Sequence, residues 1–98
     1  MIVATIYVDA RPIDDHGTMQ REGSTLVNFD HVFSIEFNPD RHCLDIWMSN
    51  GSRNSFHVSE AADEKLVMTR LFHAMAPLFE GRLHQVPAVR CTLDLRGV

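Results

Sequence analysis

Between residues 26 and 76 the chain runs through four short segments of alternating apolar and polar residues, each closed by a turn signal, and then changes to a helical period. A switch from a repeat of two to a repeat of about 3.6 restricts the fold to a small sheet carrying a helix. Residues 25–29 form a short strand, and Asp30-His31 a tight connection or bulge. In residues 32–37, Phe33, Ile35 and Phe37 fall on one face, the expected core face, with Ser34 and Glu36 on the other. Asn38-Pro39-Asp40 is a turn, because proline presets its torsion and Asn and Asp side chains imitate turn hydrogen bonds. Residues 43–49 follow as a strand with Leu44, Ile46 and Met48 inward and Asp45 and Trp47 outward.

Asn50-Gly51 is the sharpest local signal. It predicts a two-residue type I′ hairpin loop, which requires positive φ at both positions, and pairs residues 43–49 with an arm containing Phe56 and Val58. Ser59 then offers an N-cap, and Glu60, Asp63 and Glu64 suit the positive end of a helix dipole. The spacing predicts a helix over about residues 60–76, with Val67, Leu71, Ala74, Met75 and Leu78 as its apolar stripe, widened by Met68 and Phe72. Pro77 should end or kink it.

The flanks are simpler. Residues 2–8 are rich in Ile, Val, Thr and Tyr, a nearly continuous apolar run that suits a central strand. Residues 10–24 read as a long polar loop and as the segment expected to be mobile. After residues 82–87, read as a linker, Val89, Cys91, Leu93 and Leu95 alternate with Arg90, Thr92, Asp94 and Arg96 as a last, half-buried strand. The expected fold class is therefore α+β: one domain spanning residues 1–98, a mostly antiparallel sheet of about six strands in the order β-β-β-β-β-α-β, one amphipathic helix on one face, and first and last strands that pair or lie at an edge.

Composition narrows the function by exclusion. The net charge of −4 is concentrated in residues 1–58, which hold eight acids against four arginines, and Lys65 is the only lysine. Such a chain has no basic run to neutralise a phosphate backbone, so nucleic-acid binding through Arg82, Arg90 and Arg96 stands as an alternative only. The N-terminal apolar run lacks a basic leader and is too short for a signal peptide or a span, which predicts a cytoplasmic protein with no membrane role. In a reducing compartment Cys43 and Cys91 read as small buried hydrophobes.

Six histidines are the one compositional excess. Their wide spacing has none of the paired-ligand pattern of a zinc site, so no cofactor is expected, and a metal or small-ligand site would require His31, His42 and His57 to converge. No Ser or Cys occupies a nucleophile elbow, and no glycine loop is arranged to cradle phosphate, so the chain is not expected to be an enzyme.

Val27-Asn28-Phe29-Asp30-His31-Val32, Ile35-Glu36, Ser49-Asn50-Gly51 and Phe56-His57-Val58 resemble the small bacterial and phage strand-meander proteins of the FlbD type over about half the chain. The resemblance implies a small sheet with one helix and non-catalytic accessory or regulatory work, and transfers no functional residue. The expectation is a protein-binding module acting as a regulatory or inhibitory accessory factor, of the kind that phages and mobile elements carry. Its partner is expected to dock on an acidic surface containing Trp47, Asp45, Asp14, Asp15 and Arg21. An unpaired strand edge makes a homodimer the expected mode of self-association.

Overall fold

The computed structural model describes residues 1–76 and 89–98. Strand β1 (Ile2–Val8) lies at the centre of a three-stranded sheet, as its β-branched run requires. On one side it pairs antiparallel with β4 (Gly23–Asn28), in a register that sets Ala4 against Val27 and Ile6 against Thr25. On the other it pairs parallel with the last strand, β8 (Val89–Asp94), Ala4 meeting Cys91 and Ile6 meeting Leu93. A second three-stranded sheet is the antiparallel meander of β5 (Val32–Asn38), β6 (Cys43–Met48) and β7 (Arg53–His57).

The two sheets share one apolar core. Ile6, Leu44, Ile46, Leu93 and Leu95 are fully buried in it, and the single described helix, α1 (Glu64–Met75), adds Val67 and Leu71. These are the residues that alternation and helical spacing assign inward, so the mostly antiparallel α+β class holds. The strands are more numerous than about six and fall into separate sheets. The excess comes from residues 10–24, which are not one long loop. They contain a small hairpin, β2 (Arg11–Pro12) paired with β3 (Met19–Gln20), and the start of β4.

Local chemistry displaces three further expectations. Phe33 is 80% exposed, not core, because the β5 register slips between Val32 and Ser34 and leaves it as the extra residue of a bulge. Ile35 and Phe37 keep their places against the core. Asn50-Gly51 does close the β6–β7 hairpin, but only Gly51 has positive φ, at 89°. Gly51 N–H donates to Met48 O at 2.9 Å and Met48 N–H to Ser52 O at 2.8 Å, which makes a three-residue loop with the glycine in the left-handed position instead of a type I′ turn.

The helix starts four residues later than the sequence suggests. Asp63 is its N-cap, accepting from Leu66 N–H at 2.8 Å, while Ser59 caps a separate turn by accepting from Ala61 N–H at 3.1 Å. Both side chains suit the role, and the aspartate stands at the point from which Val67 and Leu71 reach the core. Phe72, counted in the wider stripe, is exposed. Leu78, Pro77 and residues 82–87 lie outside the described residues. Cys43 and Cys91 are buried free thiols.

Candidate functional site

The hairpin of β2 and β3 is shaped by its own polar side chains. The Asp14 carboxylate accepts from His16 N–H at 2.8 Å and Thr18 N–H at 3.2 Å, Ile13 N–H donates to Thr18 O at 2.8 Å, and Gly17 turns the tip at φ 87°. The same hydrogen bonds, that from His16 first, hold the Asp14 carboxyl below the usual carboxylate range. At the hairpin base Gln20 donates to Asp9 O at 2.9 Å and to His57 O at 3.0 Å, and accepts from His57 N–H at 2.9 Å. A side-chain amide thus completes the edge of β7 as a strand would.

Docked this way, the hairpin forms two adjoining clefts with the β5–β6 turn and β7. Each has a volume of about 420 Å³, and they share Ile13, Arg41 and His57. The first is acidic, with Asp14, Asp15, Asp40 and Glu60 in its lining beside His16 and His42. The second is basic, with Arg21, Arg41 and Arg53 in its lining. The β5–β6 turn is set by Asn38, whose side chain accepts from Asp40 N–H at 3.0 Å and Arg41 N–H at 3.2 Å. It ends at His42, whose φ of 48° is the one left-handed backbone among the described non-glycine residues and whose Nδ1 is buried without a hydrogen-bond partner. Such a conformation costs on the order of 1 kcal/mol, and His42 O is held in it by Val58 N–H at 2.8 Å.

Behind the basic cleft lies a buried polar cluster. Asp45, expected outward as a contact residue, is 3% exposed, and its Oδ1 accepts from Ser55 Oγ at 2.6 Å and Cys43 Sγ at 3.3 Å. Burial acts to raise the Asp45 pKa, but the hydrogen bonds from Ser55 and Cys43 and the charges of Arg53 and Arg41 outweigh it, and the carboxyl stays below its ordinary value. Asp45 is therefore a structural carboxylate and not part of a docking surface. Burial, then the bond to Asp45 and its charge, pushes the Cys43 thiol up to about 11. His57, 5% exposed, is pushed below its ordinary 6.5 chiefly by burial and is neutral at pH 7.

The remaining expected residues separate. Asp14 and Asp15 line the acidic cleft and Arg21 the basic one. Trp47 is half-buried, with the guanidinium of its cross-strand neighbour Arg53 at 5.4 Å from the ring centroid. Of the three histidines weighed as ligands, His42 and His57 line the same cleft while His31 lies in the 3-10 turn Phe29–His31, outside its lining. No group of three or more His, Cys, Asp or Glu suited to a metal ion occurs among the described residues. Arg96 is engaged by Asp94 through two bonds of 2.9 Å and stacks on Tyr7, and Arg82 lies outside the described residues.

Sequence reasoning missed Arg41, Arg53, Gln20 and His57 as a set. Each looks like an isolated polar residue in the chain; the pairing of β6 with β7 brings Arg41, Arg53 and His57 to one side, and the docked hairpin adds Gln20. No helix among the described residues is long and apolar enough to cross a membrane. No protein-family model, no curated protein and no solved structure matches the chain.

Proposed function

We propose that the protein is a non-catalytic binding domain, a regulatory or inhibitory accessory factor that docks a protein partner against the hairpin-lined face. The observation that carries this reading is the acidic cleft, in which Asp14 and Asp15 of the hairpin tip meet Asp40 and Glu60 from separate elements around an open concavity. Four carboxylates focused on one concavity favour an approaching Lys or Arg and disfavour polyanions. Trp47, stacked under Arg53, is the aromatic candidate for a neighbouring contact.

The nucleophile candidates support a non-catalytic role. Both cysteine thiols are buried and shifted upward, opposite to an activated thiolate. Ser59 is occupied as a turn cap.

Affinity capture from a nuclease-treated lysate tests the reading, with wild type, the double variant Asp14→Asn/Asp15→Asn and Trp47→Ala run in parallel. The expected result is one partner retained by wild type, weakened by raised salt and lost from the double variant. Retention that survives loss of both carboxylates would remove the acidic cleft from the interface.

A further inference from the structure

The basic cleft has a different chemistry. Of the described arginines, Arg11 and Arg96 are matched to Asp9 and Asp94. Arg21, Arg41 and Arg53 form no ion pair with a described residue, although all three line one cleft. They come from three separate places in the chain: the link from β3 to β4, the β5–β6 turn and the start of β7. Three arginines lining one cleft, two of which also act on the Asp45 carboxylate, favour an anion at that cleft.

We propose that this cleft is a phosphoryl-binding site for a small phosphate monoester, gripped by the guanidinium groups of Arg21, Arg41 and Arg53. Charge and donor count favour a phosphoryl group over a carboxylate. Three guanidiniums stand against the one buried carboxylate of Asp45, which leaves two positive charges, the match for a phosphate carrying about −1.5 to −2 and three acceptor oxygens. The Thr25 hydroxyl adds a further donor from β4. Gln20 and Ser55 also line the cleft, but their donors are committed to Asp9 O, His57 O and Asp45, so they set its shape and leave anion binding to the arginines. A cavity of about 420 Å³ is of small-molecule size. The acidic cleft next door repels a continuing chain of phosphates, which restricts the ligand to an isolated phosphoryl group and disfavours a nucleic-acid strand.

The site is tested separately from protein docking at the acidic cleft, by isothermal titration calorimetry at low ionic strength. The probes are inorganic phosphate, free O-phosphoserine and a short phosphoserine peptide beside its unphosphorylated form. Wild type is expected to bind the first two. Arg21→Gln and Arg41→Gln each weaken binding by about tenfold or more, the loss of a charge-assisted hydrogen bond, and Arg41→Lys recovers part of it. Arg90→Gln, which alters an exposed arginine outside the cleft, leaves it unchanged. Thermal melting confirms that each variant is folded. Failure of both small probes to bind wild type overturns the proposal, as does equal weakening by Arg90→Gln. Binding confined to the phosphopeptide overturns the small-molecule source and assigns the same guanidinium chemistry to a modified partner chain.

Discussion

Gln20 holds His57 by both backbone groups, donating to its carbonyl at 3.0 Å and accepting from its amide at 2.9 Å across 37 positions of sequence. Its remaining amide hydrogen reaches Asp9 O at 2.9 Å, so one side chain ties the hairpin to β7 and to the residue that follows β1. Gln20→Ala leaves those groups without partners, and a buried unsatisfied group costs about 1–3 kcal/mol. The expected melting temperature falls by about 4–8 °C for each kcal/mol lost in a domain of this size. A melting curve identical to wild type would mean that the hairpin is held by something else.

Acid should unfold the protein through particular carboxylates. Asp45 lies below its ordinary value and Asp94 is drawn down to about 2 by Arg96, against an ordinary 3.8. A carboxyl whose folded pKa is depressed contributes stability above its unfolded pKa and loses it as pH falls towards the folded one. Urea denaturation from pH 6 to pH 2 should show stability declining below about pH 4, and Asp45→Asn should flatten part of that decline at the cost of lower stability near neutrality.

His57 acts in a higher window. Its folded pKa is depressed below 6.5, chiefly by burial, so between the two values the unfolded chain binds the proton first. Stability is expected to decrease as pH falls below 6.5, and His57→Gln should remove that component. NMR titration of the imidazole checks the premise directly: a midpoint at or above 6.5 would contradict it.

The bulge at Phe33 separates apolarity from burial. Phe33→Thr should change stability by no more than about 0.5 kcal/mol, whereas Ile46→Ala in the fully buried centre of β6 should cost about 2–5 kcal/mol. Equilibrium urea unfolding of the two variants measures both.

The two thiols should be inert in the folded protein. Cys43 is raised to about 11 and Cys91 is also shifted upward by burial, and neither is paired in a disulfide. A chromogenic disulfide reagent at pH 8 is expected to label neither cysteine until denaturant is added. Rapid labelling of native protein would place a thiol at the surface.

Alternation made most of the fold legible. Leu44 and Ile46, Cys91 and Leu93, and Val67 and Leu71 are buried where their spacing puts them, because a wrong register would expose an entire face. The pattern failed where one polar atom or one extra residue decides the outcome. Period-two counting cannot see the slip that expels Phe33, and Ser59 and Asp63 look equally suited to a cap. Asp45 looked exposed because the face it shares with Trp47 is polar in sequence, and its cover is the Ser55 hydroxyl directly across the ladder. The clefts were illegible for another reason. Their walls meet only through tertiary docking, and the residue that makes the docking possible, Gln20, carries no motif.

The parallel pairing of β1 with β8 bears on how the chain is made. During synthesis Ile2 leaves the ribosome long before Val89, its partner in the ladder, and at about 5–20 residues per second the interval lasts several seconds. Until then β1 has one side open, with Ala4 and Ile6 lacking Cys91 and Leu93. Closing the sheet joins the most distant parts of the described chain in one step, so the slow event of folding falls after translation has passed Asp94. The nascent protein therefore carries a vacant strand position until β8 fills it.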